Sequence, residues 1–155
     1  MKPVRILTVG KAKAGHFGKA ADHYRKLLSR FFRLEEDWVK DSSPRLSPEQ
    51  RKEAEATSLL ARHKPGEALI CLDEKGKSMA SRTFSAKLHN LVERHSGVCF
   101  VIGGPYGLGE EIRNKADMLL AFGPMTLPHE MARLVLLEQI YRAAAIRAGL
   151  PYHND

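Results

Sequence analysis

Short apolar runs recur along the chain, and each gives way to a glycine or a turn and then to residues with helical spacing. The runs are VRILTVG (Val4–Gly10), EALICLD (Glu67–Asp73), VCFVIGG (Val98–Gly104) and MLLAFG (Met118–Gly123), with LEEDWVK (Leu34–Lys40) as a weaker member. None alternates cleanly between apolar and polar residues. A strand written in that way is covered on both faces, which is the mark of a parallel sheet inside helical layers. Strands alternating with helices therefore predict an α/β fold, a mostly parallel sheet with helices on both faces. The carboxyl ends of such strands share one edge, and open α/β sheets bind ligands there.

The helices follow from spacing and end signals. Ala20, Tyr24, Leu27 and Phe31 form a stripe that predicts a helix from about Lys19 to Arg33. Beside it Lys19, His23, Lys26, Arg30 and Arg33 form a basic ridge on the same helix. Ser47-Pro48-Glu49-Gln50 has the capping-box pattern with proline at the first helical position, and Pro65-Gly66 closes that helix. Further helices are predicted over 82–95 and 110–116, and from Pro128 to Ala148, where Gly149 stops the chain. After Asp73, EKGKS reads as a turn. The last helix is apolar on most sides (Met131, Leu134, Val135, Leu137, Ile140, Tyr141, Ala144, Ala145), so it is expected to be buried in a core or a dimer interface.

A length of 155 residues predicts one domain, 1–155. No apolar run approaches the roughly 20 residues a membrane helix needs, and the N-terminus lacks a signal-peptide body. A cytoplasmic protein is the expectation. Cys71 and Cys99 each lie inside an apolar run and read as buried free thiols. Residues 1–33 hold nine Lys or Arg and one acid, Asp22, while the whole chain is +7, so the excess is concentrated at the start. Such a field suits a polyanion, and Lys11 and Lys13 of the glycine-rich loop join the ridge as candidate contacts to it. The seven histidines show no paired spacing on one helix, so no metal is implied, and His129 reads as a cap or structural donor.

The glycine turn GGPYGLG (Gly103–Gly109) is not a dinucleotide fingerprint. Its spacing is wrong, Pro105 lacks an N–H, and Glu110-Glu111 put negative charge where a phosphate would sit. The pattern by itself fits a tight structural turn, and such a turn also lets backbone approach a flat, uncharged ring. The turn GPMTLP (Gly123–Pro128) has the same form. The strand ends after Leu72, Ile102 and Phe122 are expected to converge on one crevice for an adenosine-type ligand.

Three segments carry a family resemblance: VIGGPYGLGEEI (Val101–Ile112), MTLPHEMARLVLLEQIYRA (Met125–Ala143) and PYH (Pro151–His153). Together they resemble the ribosomal RNA large subunit methyltransferase H family of the SPOUT superfamily, over essentially the whole chain. The resemblance implies an S-adenosylmethionine-dependent enzyme that methylates N3 of a pseudouridine in 23S ribosomal RNA. It also implies a C-terminal trefoil knot, which rules on chain connections would not suggest, and a homodimer. It places the cofactor against Leu72, Gly103, Gly104, Gly123, Pro124, Met125, Thr126, Leu127 and Pro128. The two glycines are expected to matter because they have no side chain beside the cofactor. Arg133, Glu138, Arg142, Tyr152 and His153 fall near the reacting base, with His153 as base or orienting group. Relatives commonly carry a basic residue after the histidine, where this chain has Asn154-Asp155. With no separate RNA-binding domain, the substrate is expected to be the large subunit or whole ribosome. A non-catalytic RNA-binding protein that keeps the fold is the alternative.

Overall fold

The computed structural model describes residues 1–155. Strands and helices alternate: β1 (Pro3–Val9), α1 (His16–Leu28), β2 (Arg33–Val39), α2 (Pro48–Arg62), β3 (Glu67–Lys77), α3 (Ser81–Arg94), β4 (Gly97–Ile102), α4 (Glu110–Lys115), β5 (Met118–Leu120) and α5 (His129–Ala148). The five strands form one sheet in the order β2-β1-β4-β3-β5, and every pairing is parallel.

Residues along the central strands divide between two cores, as the pleat requires. Val4, Ile6, Ala68, Ile70, Val98 and Phe100 pack with Ala21 and Leu28 of α1, Phe84 and Leu88 of α3, and Leu136, Leu137 and Ile140 of α5. Leu7, Val9, Leu69, Cys71, Cys99 and Val101 face the other way, onto Ala56 and Leu59 of α2 and Ile112 of α4. Both faces are buried, which is why the runs do not alternate. Arg5 interrupts β1 without breaking it. Arg5 is 4% exposed, and its guanidinium donates to Glu67 at 2.8 and 3.1 Å and to the Arg62 carbonyl at 3.2 Å, so this charge is used inside the fold.

Ser47 caps α2 with both halves of the capping box in place, and Gly149 ends α5 in the left-handed region at φ 68°. Two expectations are corrected. The first helix stops at Leu28, because the Ser29 hydroxyl takes the Lys26 carbonyl at 2.7 Å and the N–H groups of Phe31 and Phe32 both turn back to Leu28. Burying Phe32 requires that turn. The basic ridge is therefore not continuous: Lys19, His23 and Lys26 stay on α1, Arg30 lies in the turn, and Arg33 begins β2 paired with Glu35 at 3.1 Å. The second correction is EKGKS. β3 runs on to Lys77, with a register shift that places both Leu72 and Lys77 opposite Leu120. A Cβ at Gly76 would lie 2.7 Å from the Leu119 backbone, so glycine permits the close pass.

Candidate functional site

All five strands point their carboxyl ends to one edge, and a cavity of about 1150 Å³ opens there. Its walls are three segments: Leu72–Lys75 in the outer half of β3, Ile102–Leu108 from the end of β4, and Leu120–Pro128 from the end of β5. Val9 to Lys13 after β1 and the first turn of α5 close the rim. The expected convergence is present for the segments after β4 and β5, while the third wall is β3 itself, which does not end after Leu72. Among the residues assigned to the cofactor, Leu72, Gly103, Gly104, Gly123, Met125, Thr126, Leu127 and Pro128 line this cavity, and Pro124 does not.

The turn after β4 is built by local bonds. The Gly107 N–H donates to the Gly104 carbonyl at 3.0 Å, and Gly107 sits at φ 85°, a conformation glycine enters without strain. Tyr106 is carried at the tip, 53% exposed, with the Arg51 guanidinium 5.4 Å from its ring centre. The two glycines before it are explained differently from the sequence expectation. A Cβ at Gly103 would lie 2.9 Å from a Leu108 methyl carbon and 3.0 Å from the Gly107 carbonyl carbon. One at Gly104 would lie 2.8 Å from Glu55 Oε1. Both meet protein. Glu55 is a buried carboxylate of α2 that accepts from the Ser42 hydroxyl at 2.6 Å and the Ser42 N–H at 3.3 Å, so it cannot withdraw freely.

Several cavity residues went unnoticed in the sequence. Asp73 pairs with Arg113 of α4 at 2.7 Å, and Glu74 accepts from the Thr126 hydroxyl at 2.5 Å, tying the outer half of β3 to the turn after β5. Glu130 accepts from the Lys13 N–H at 3.1 Å and so holds the basic loop at the rim. His129 is not a cap: Pro128 occupies that position, and no side-chain bond closes the helix start. Instead His129 Nε2 and Glu130 Oε2 are buried in the cavity wall without partners. A charged residue directly after a strand run, as in LICLD, was the available signal for Asp73. No local pattern distinguishes Arg113 or His129. Of the basic residues expected to meet RNA, Lys11 and Lys13 line the cavity and are exposed, and Lys19, His23 and Lys26 lie on the exposed face of α1.

Tyr152, His153, Arg142 and Glu138 come together, but away from this cavity. Glu138 Oε1 accepts from Arg142 at 3.0 and 2.5 Å and from the Tyr152 hydroxyl at 3.0 Å. The Arg142 guanidinium lies 4.8 Å over the Tyr152 ring and 3.2 Å from His153 Nδ1. Burial pushes the Tyr152 phenol upward, and its bonds to Tyr24 and Glu138 add to the shift, so this hydroxyl remains a donor. None of the four lines the cavity. Glu138 follows Glu130 at the cavity rim by eight positions on α5, which is about 12 Å along the axis. Arg133 departs from expectation too: it is 3% exposed and bonds Glu36 of β2 at 2.7 and 2.8 Å, so it holds α5 to the sheet.

Comparison with known proteins agrees with this geometry. A family model described as predicted SPOUT methyltransferase matches residues 1–153. The chain is 44% identical to the ribosomal RNA large subunit methyltransferase H of Oleidesulfovibrio alaskensis over 99% of its own length and 100% of that protein. It is 46% identical to the protein of the same name in Maridesulfovibrio salexigens, over 99% of each. Among solved structures, a probable methylase family protein from Haemophilus influenzae shares the fold at a TM-score of 0.57 and 14% identity. The match covers 98% of this chain and 70% of that one. Parallel topology, the cavity at the strand ends and full-length similarity at this level lead to one conclusion: the chain belongs to the SPOUT methyltransferases, in the ribosomal RNA large subunit methyltransferase H family.

Proposed function

We propose that this chain is a single-domain, cytoplasmic, homodimeric enzyme that uses S-adenosylmethionine to methylate N3 of a pseudouridine in 23S ribosomal RNA, acting on the large subunit or the whole ribosome. The observation that carries the proposal is the cavity made by the outer half of β3 and the turns after β4 and β5. It suits an adenosine-type ligand. Leu72, Ile102, Leu120, Phe122 and Leu127 offer apolar walls to a flat ring. The unpartnered His129 Nε2 and Glu130 Oε2 offer buried polar atoms that a ligand would satisfy. When bound, the cofactor supplies a sulfonium-activated methyl group. The chain's own task is then placement of the base, which needs little acid–base machinery.

Lys11 and Lys13 at the rim, and Lys19, His23 and Lys26 on α1, attract the RNA backbone. Tyr152 and His153 contact the base, with Glu138 and Arg142 holding them in place. A separation of about 12 Å along α5 keeps this group from its own chain's cavity, which supports a dimer in which each tail serves the partner's cavity. The knot that the resemblance implies is part of the same proposal.

The test is transfer of labelled methyl from S-adenosylmethionine to ribosomes from cells lacking the protein, with mass spectrometry to locate the product. One new methyl on a pseudouridine of intact large subunits is expected, with little on naked RNA. Efficient modification of a short naked RNA would contradict the proposal. Absence of S-adenosylmethionine binding in calorimetry would favour a non-catalytic RNA-binding protein.

A further inference from the structure

The last residue described, Asp155, reaches back to α3. Both of its carboxylate oxygens receive the Arg82 guanidinium, at 2.5 and 2.7 Å. The same Oδ1 lies 3.5 Å from His153 Nε2. On its other side the imidazole meets Arg142, 3.2 Å from Nδ1. A guanidinium has donors only, so Nδ1 accepts, and the ring proton of the neutral imidazole sits on Nε2, facing the carboxylate. Arg142 is itself held by Glu138. His153 is thus flanked at both nitrogens by groups that are each anchored elsewhere: Arg142 on Glu138, and Asp155 on Arg82.

We propose that Asp155, clamped by Arg82, is a positioning residue for His153, setting its ring plane and its Nε2–H tautomer so that the imidazole is held in one orientation at the target base. The inference rests on the reading that Tyr152-His153 act at that base. The Asp155 carboxyl is held below the usual range, chiefly by its bond to Arg82, so it faces Nε2 as a carboxylate at neutral pH. With Arg142 donating to Nδ1, the Nε2–H of the imidazole points toward Asp155.

Three full-length variants test the proposal: Asp155→Ala, Arg82→Ala, and the charge swap Arg82→Glu with Asp155→Arg. Both sites are well exposed, and circular dichroism checks that each variant folds. At metal sites, losing the partner that orients an imidazole costs roughly 10- to 100-fold, so Asp155→Ala is expected to lower kcat about tenfold with cofactor affinity unchanged. Nitrogen-detected NMR should show a single His153 tautomer in the native protein and a mixture in Asp155→Ala. The swap should restore order in the tail, read by amide relaxation, without restoring kcat, because a guanidinium then faces Nε2. Native kcat in Asp155→Ala, full rescue by the swap, or a tautomer mixture in the native protein would each overturn the proposal. If the native protein transfers no methyl at all, the proposed function fails, and the tautomer and relaxation measurements still judge the positioning of His153.

Discussion

At the scale of single residues, neighbours decide what each side chain can do. Gly104 illustrates this. Its missing side chain leaves room for the Glu55 carboxylate, 2.8 Å from where a Cβ would stand. Gly104→Ala should push Glu55 off Ser42 and cost about 1–3 kcal/mol, which at this chain length is about 2–4 °C of Tm per kcal/mol. A thermal scan beside calorimetry with S-adenosylmethionine checks it: unchanged Tm with lost cofactor binding would return the glycine to the role read from the sequence. The cysteines form a second case. Burial raises both thiols, Cys71 and Cys99, to about 12. Unfolded thiols ionise near about 8.5, so the folded state binds more protons above that pH. The corresponding stability is present below about 8.5 and is lost as pH climbs toward 12. Alkylation of the native protein at pH 8 should leave both thiols unmodified, and denaturant should expose both. Rapid native labelling of either would contradict the burial.

At the scale of elements, local signals read well where they are self-contained. The Ser47 box is complete within four residues, and it forms as read. Ser47→Ala should cost about 1 kcal/mol, seen as a lower urea midpoint with an unchanged slope. An unaltered midpoint would show that the start of α2 is held by packing alone. Gly149 likewise ends α5 by its own backbone freedom. Elements whose ends depend on distant packing were misread. The apolar stripe continues past Leu28 to Phe31, but Phe32 has to reach the core, and the chain turns for it. β3 extends past Asp73 because β5, far along the chain, pairs with it.

At the scale of the whole molecule, the central issue is that the cavity and the Tyr152-His153 cluster lie apart within one chain. If each tail serves its partner's cavity, two inactive variants should complement. A cavity variant such as Leu127→Glu, mixed and refolded with His153→Ala, should regain part of the native methylation rate through hybrid dimers. No recovery, with hybrids verified by native mass spectrometry, would mean that each chain completes its own site. The parallel α/β architecture, the buried thiols, the capped start of α2 and the glycine end of α5 were all legible in the amino-acid sequence, because each is written in local periodicity and composition that one segment carries by itself. Only the tertiary structure decided that Arg5 and Arg133 are consumed by Glu67 and Glu36, that Glu55 stands behind Gly104, and that Arg82 binds the Asp155 carboxylate that lies beside His153. Those pairings join residues far apart in the chain. Charge–charge and hydrogen-bond contacts act over a few ångströms in space, and no periodicity along the sequence records which distant partners the fold brings that close.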